Sequence, residues 1–126
     1  MLPRLSNVPQ LNNVVSDYLS ELQKQHFEGD IASNYADRLS LATDNSVYQQ
    51  LPQAILFPKS VADVVRITKL ANKEKYLHLT FTPRGGGTGT NGQSINNNII
   101  VDLSRHMTGI LELNIEERWV RVQAGV

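Results

Sequence analysis

The chain has 126 residues, 40% of them hydrophobic and 19% charged, which is the size and composition of one globular domain. Twelve basic residues balance twelve acidic ones, so the chain lacks the concentrated positive charge that nonspecific nucleic-acid binding needs. There is no cysteine, which excludes disulfides, thiolate zinc sites, a cysteine nucleophile and a thiolate-held iron–sulfur cluster within these residues. No apolar run has the length of a membrane span. The opening "MLPRLSNVPQ" lacks the basic-then-apolar layout of a signal peptide, so a cytoplasmic location is the default expectation.

Residues 1–9 hold Pro3 and Pro9 and little pattern, and read as a loose leader. Leu11, Val14, Val15, Tyr18, Leu19 and Leu22 then recur at helical spacing. They predict an amphipathic helix over 10–26, stopped near Gly29 and docked on its own core. Asp30 is a candidate cap for a short helix through Leu39, and "LATDNS" reads as a loop. "AILFP" predicts a buried strand closed by Pro58. Ser60 can cap the helix that follows, with Asp63 at the reciprocal position of a capping box. That helix carries Val61, Val64, Val65, Ile67, Leu70 and Ala71 and ends around 72–75. "YLHLTFTP" predicts a second strand, with His78 as a packing residue inside it, and "NIIVDLS" a third. "GILELNIE" and "RWVRVQAGV" predict a β-pair whose core contacts come from Trp119, Val120 and Val122. The strand–helix–strand unit over 54–82 implies a parallel crossover, and later strands lack intervening helices. The fold class expected is α+β: a small mixed sheet with one βαβ unit and flanking helices.

Between the second and third strands lies "FTPRGGGTGTNGQS", with five glycines at 85, 86, 87, 89 and 92. Gly87 to Gly92 spells G-x-G-x-x-G, and Glu112 stands about 20 residues on, as a dinucleotide fingerprint expects. That fingerprint requires a helix opening on its last glycine, and the polar run "QSINNN" leads to a strand instead. The nucleotide-triphosphate loop fails too, because Gln93 and Ser94 stand where Lys and Ser/Thr belong. A plain turn needs one or two glycines, whereas three in a row raise the entropy lost on ordering. Consecutive small residues let backbone N–H groups converge on an anion, and Arg84, Thr88, Thr90 and Gln93 add donors. The residues alone therefore favour an anion-binding loop that needs no helix.

"PRGGGTGTNGQ" after a hydrophobic strand, followed by "IIVDLSRHM", "ILELN" and "WVRVQAGV", resembles the FAD-binding domain of one flavoprotein superfamily. That superfamily includes vanillyl-alcohol oxidase, glycolate oxidase subunits and D-lactate dehydrogenases. The resemblance runs from about Asp44 to Val126. With "GDIASNYADRLSLATDNSVYQQLP" added, it is closest to the large bacterial D-2-hydroxyglutarate dehydrogenase-like flavoproteins. It implies a division into an N-terminal helical extension, 1–43, and the first part of a two-subdomain FAD-binding domain, 44–126. It implies that Pro83, Arg84, Gly85, Gly86, Gly87, Thr88, Gly89, Thr90, Asn91, Gly92 and Gln93 hold the FAD pyrophosphate, while the catalytic base stays unassigned. The substrate implied is a small D-2-hydroxy acid, with hydride passing to the flavin and onward to an electron acceptor. No histidine occurs from Pro83 to Arg105, so the flavin is expected to be non-covalent, and His106 is given no such bond. The long relatives also carry a cysteine-rich iron–sulfur region, none of which lies here. The chain is thus expected to be an N-terminal fragment, inactive by itself.

Other features weigh less. His26, His78 and His106 are far apart and suggest no metal site. Asp44, Asn45, Ser46 and Tyr48 could lie near the flavin, although such a segment is more often a self-capped loop. Asp102 reads as structural. A non-catalytic nucleotide- or anion-binding module is the alternative to an enzyme, and a merely turning loop is the third reading.

Overall fold

The computed structural model describes residues 10–126, so the leader expected at 1–9 lies outside the described residues. The first helix, α1, spans Asn13–Lys24. The Asn12 side chain caps it, accepting from the Val14 N–H at 2.9 Å. It ends at Gln25, where His26 takes a left-handed φ of 58°, and not at Gly29. Gly29 serves a different purpose: a Cβ there would run into the Phe57 carbonyl oxygen and the Phe27 ring. Its missing side chain lets the backbone lie against the sheet.

Asp30 does not cap a helix. Asp30–Ala32 is a strand, β1, paired antiparallel with Phe57, Leu56 and Ile55. Pairing with a distant strand overrides local capping preference here. Asn34 caps instead, accepting from the Asp37 N–H at 2.9 Å, and opens the short helix α2, Tyr35–Ser40. Next come β2, Ala54–Phe57, and α3, Val61–Ala71. Ser60 caps α3 through the Asp63 N–H at 3.2 Å. The fully buried Asp63 carboxylate accepts from the N–H of Lys59 and of Glu28, each at 3.0 Å, and pairs with Arg66 at 2.9 Å. The capping box therefore closes one residue earlier than expected and also ties in the end of the α1–β1 connection.

The predicted strand over "YLHLTFTP" is only half right. Glu74–Tyr76 is a 3₁₀ turn, and the strand, β3, is Phe81–Arg84. Tyr76 is drawn out of a strand path by its partners. Its ring meets Tyr18 edge-on, with centroids 5.1 Å apart, and its hydroxyl donates to Glu21 at 2.9 Å. His78 is consequently an exposed turn residue and not a packing residue.

β4, Ile99–Asp102, enters between β2 and β3, giving the order β1–β2–β4–β3. β2, β4 and β3 run parallel, with Leu56 beside Val101 and Arg84 beside Asp102. The central strands β2 and β4 are buried at every residue because both faces are covered. Ala54, Leu56, Ile99 and Val101 face α1 and α3 in the main core, with Val15, Tyr18, Leu22, Ile67 and Leu70. Ile55, Phe57 and Ile100 alternate to the other face and pack with Ala32 and Leu41. The apolar stripe of α1 thus docks on its own sheet, as its spacing predicts.

The last two strands, β5 (Ile110–Asn114) and β6 (Trp119–Val122), form a separate two-stranded sheet. Its pairing is as predicted, but its core role is not. Trp119 is only half-buried, and Val120, Val122, Ile110, Leu111 and Leu113 are exposed. A lone hairpin has one neighbour per strand and no sheet or helix to cover its apolar side chains.

Candidate functional site

Because β3 and β4 are parallel, the chain must return from the end of one to the start of the other. Residues 85–98 make that crossing without a helix. The glycine loop therefore springs from the carboxyl end of a parallel strand, where open α/β sheets place their ligands. β3 is an edge strand, which is why it tolerates Pro83, a residue with no N–H to donate. The polar run expected to replace a helix is the return leg. Asn96, buried, donates through Nδ2 to Thr82 Oγ1 at 2.7 Å and to the Ile99 carbonyl at 3.0 Å. Its Oδ1 accepts from the Asn98 N–H at 2.8 Å. Glu112, the acidic residue about 20 positions on, lies on the exposed hairpin and pairs with Arg121 at 2.9 Å, away from any dinucleotide role.

Within the loop, the backbone N–H groups from Gly85 to Thr90 donate to no group among the described residues. A Cβ added at Gly85 would meet nothing within 4 Å, and one at Gly86 only the Thr88 methyl at 3.6 Å. Gly87 takes a left-handed φ of 67°. Unbonded amides, open space above two glycines and a left-handed third are the features of an anion nest, and they suit a pyrophosphate. Thr88, Thr90 and Asn91 are exposed and free to add side-chain donors.

Two expected donors are turned to another use. The Arg84 guanidinium lies against Gly87 and makes a long contact, 3.4 Å, with the Ser94 carbonyl. Gln93 Oε1 accepts from the Asn91 N–H at 3.0 Å, and its amide fills the space a Gly89 side chain would need. Both brace the loop from within. Gly92, at φ 74°, passes close to the Tyr48 ring.

Asp44 and its neighbours form the self-capped turn and also bond to the glycine loop. Asp44 Oδ1 accepts from the Ser46 N–H at 2.9 Å, the self-capped turn. Its Oδ2 accepts from Ser94 Oγ, also at 2.9 Å, and the Asn45 N–H donates to the Gly87 carbonyl at 3.0 Å. Bonding from the Ser46 side chain, followed by the Ser46 amide and Ser94, outweighs partial burial and holds the Asp44 carboxyl below the usual carboxylate range. The segment walls a cleft of about 420 Å³ whose other side is Arg84, Gly86, Gly87 and Thr88, with Ser40 and Thr43 completing it. Sequence reasoning passed over Ser94 and Asn96; the only local signal was the density of acceptors in "TDNS" and of amides in "QSINNN".

A slightly larger groove, about 460 Å³, runs between α3 and the sheet edge, lined by Val64, Ile67, Ala71, Phe81, Val101 and Leu103 among others. Its lining is mainly apolar, with Thr68 and Asn72 the polar members. Asp102 accepts from the Ser104 N–H and hydroxyl at 2.9 and 2.7 Å, a structural turn. His106 Nε2 lies 2.6 Å from Asp30 Oδ2, away from the glycine loop's bonding network. Among the described residues no helix is long and apolar enough to cross a membrane.

A mixed sheet with a helix-free glycine loop at the end of a parallel strand sets the class, and the chain belongs to the FAD binding domain family, which matches residues 52–126. FAD is the cofactor that goes with this family. Over all 126 residues the chain is 80% identical to the D-2-hydroxyglutarate dehydrogenase of Haemophilus influenzae and 58% identical to that of Escherichia coli. It spans 12% of the length of each of these relatives. Among solved structures, an alkyldihydroxyacetonephosphate synthase superposes with a TM-score of 0.76, covering 95% of this chain and 25% of that one at 20% identity. At that identity the likeness is one of fold.

Proposed function

We propose that this chain is the pyrophosphate-holding part of an FAD-linked dehydrogenase that oxidises a D-2-hydroxy acid, D-2-hydroxyglutarate before D-lactate. The observation that carries the site is the run of unbonded amides from Gly85 to Thr90 above glycines with open space. In this reading residues 44–126 belong to the FAD domain, and 1–43 are an extension whose helix shares its core. The preference for D-2-hydroxyglutarate rests on the 80% identity to a relative of that name across the whole chain.

Bound FAD supplies the acceptor for the two electrons that leave the substrate α-carbon as hydride. The Gly85–Thr90 amides donate to the pyrophosphate oxygens, and Thr88 and Thr90 add hydroxyl donors. Arg84 places a positive charge behind the nest, which offsets part of the diphosphate charge while its guanidinium supports Gly87. Asp44, tied up by Ser46 and Ser94, keeps its acceptor oxygens occupied, so that it does not compete for the same amides.

The test is the absorbance of the full-length protein, followed by anaerobic addition of D-2-hydroxyglutarate and of D-lactate. A non-covalent flavin spectrum bleached by D-2-hydroxyglutarate at the lower concentration is expected. A purified protein with no flavin, or one bleached by neither acid, refutes the reading.

A further inference from the structure

We propose that Asp44 is a positioning residue that, with Asn45 and Ser94, latches the glycine loop to the 41–50 segment and so sets the pyrophosphate amides before FAD arrives. The inference rests on the reading of the loop as an FAD site and concerns how that site is kept in shape.

The geometry is specific. Residues adjacent in sequence, Asp44 and Asn45, reach two points of the loop that lie seven residues apart. Asn45 holds the middle, through the Gly87 carbonyl at 3.0 Å, and Asp44 holds the far end, through Ser94 Oγ at 2.9 Å. Ser94 is itself buried, so the far anchor is fixed in the protein rather than waving in solvent. The latching segment is anchored in turn. Thr43 and Gln49 bridge across it, the Gln50 N–H donates to the Ala42 carbonyl at 2.9 Å, and Ala42 is fully buried. A glycine-rich loop loses more freedom on ordering than any other sequence. Binding that has to order such a loop is weakened by that cost, and a loop ordered beforehand avoids it. The latch leaves the Gly85–Thr90 amides untouched, because the groups it takes from the loop are the Gly87 carbonyl and the Ser94 hydroxyl.

The carboxylate has a second consequence. It lines the same cleft as the amides, where a loose negative charge would repel a diphosphate. Held at both oxygens, it keeps one position in the cleft wall.

The experiment compares full-length protein with Asp44→Ala, Ser94→Ala and Asp44→Asn. Two quantities are read: the FAD dissociation constant, and hydrogen exchange of the Asn45 amide, which donates to the Gly87 carbonyl, in the flavin-free protein. Asp44→Ala is expected to raise the dissociation constant about tenfold and to speed exchange of the Asn45 amide. Ser94→Ala, which removes one hydroxyl and leaves folding intact, shifts both the same way by less. Asp44→Asn recovers most of both, since its amide can still accept from Ser46 and meet the Ser94 hydroxyl. Wild-type affinity and exchange in a folded Ser94→Ala or Asp44→Ala protein overturn the latch. Weakened affinity with wild-type exchange also overturns it, because Asp44 would then act on FAD itself. If the wild-type full-length protein binds no FAD, the functional reading fails, while the exchange comparison still decides the latch.

Discussion

Gly85 and Gly87 stand two residues apart and answer substitution differently. A methyl at Gly85 would enter open space, so Gly85→Ala keeps the fold. It occupies volume that a bound pyrophosphate needs, and FAD affinity is expected to fall at least tenfold, about 1.4 kcal/mol. Gly87→Val is a less clean probe. Its side chain would collide with the Arg84 guanidinium at a φ of 67°, so the loop itself is disrupted. Flavin titration alongside thermal unfolding of the full-length variants separates the two: Gly85→Ala loses flavin at a wild-type melting temperature, and Gly87→Val loses both. A Gly85→Ala protein with full affinity would remove the pyrophosphate from this part of the loop.

At the scale of elements, α1 is tied to the 3₁₀ turn and its flanks by one carboxylate. Glu21 pairs with Lys73, and with Lys75 at 2.7 Å, and accepts from the Tyr76 hydroxyl at 2.9 Å. The Lys73 bond first, then Lys75 and Tyr76, lowers the Glu21 carboxyl from 4.5 to about 2. A carboxyl lowered on folding adds stability that is fully present above its unfolded value of 4.5 and is lost as pH falls toward 2. Glu21→Gln is therefore expected to flatten the acid limb of the unfolding profile in that window and to leave its shape near pH 7 unchanged. Urea midpoints measured from pH 2 to 7 check this; parallel profiles for wild type and variant would show that Glu21 titrates normally. The Tyr18 phenol belongs to the same seam: burial, with Tyr76 adding, pushes its ionisation up, and its hydroxyl donates to the Ile67 carbonyl at 2.9 Å. The seam joins α1 to α3 and, through the Tyr18 and Phe81 rings with centroids 5.2 Å apart, to the strand that carries the loop.

For the whole molecule, the glycine cleft and the β5–β6 hairpin point to the same expectation. The cleft supplies only the glycine-loop part of the proposed site, and the hairpin exposes Ile110, Leu111, Leu113 and Ile115, apolar surface with nothing over it here. The 126-residue chain by itself is expected to bind FAD far more weakly than the full-length protein and to show no dehydrogenase activity. Fluorescence titration of both proteins tests this, and a stoichiometric flavin spectrum on the short chain would contradict it.

Much of this was legible in the sequence because it is local. The α1 stripe, the Ser60 cap, the buried "AILF" and "IIVD" strands and the absence of a helix after Gly92 follow from periodicity and turn chemistry over a few residues. What the sequence by itself determined was thus the mixed α+β class and a helix-free glycine loop. Only the tertiary structure decided that Asp30 pairs in a strand, that Tyr76 leaves its strand for Tyr18 and Glu21, and that β4 slots between β2 and β3. It alone turned Arg84 and Gln93 from donors into braces and brought Asp44 to Ser94, fifty residues away. Asp30, Tyr76, β4 and Asp44 each depend on a partner remote in the chain, and a contact between remote residues leaves no period or spacing to read. Arg84 and Gln93 turn on which way a side chain folds over near neighbours, which spacing does not fix either.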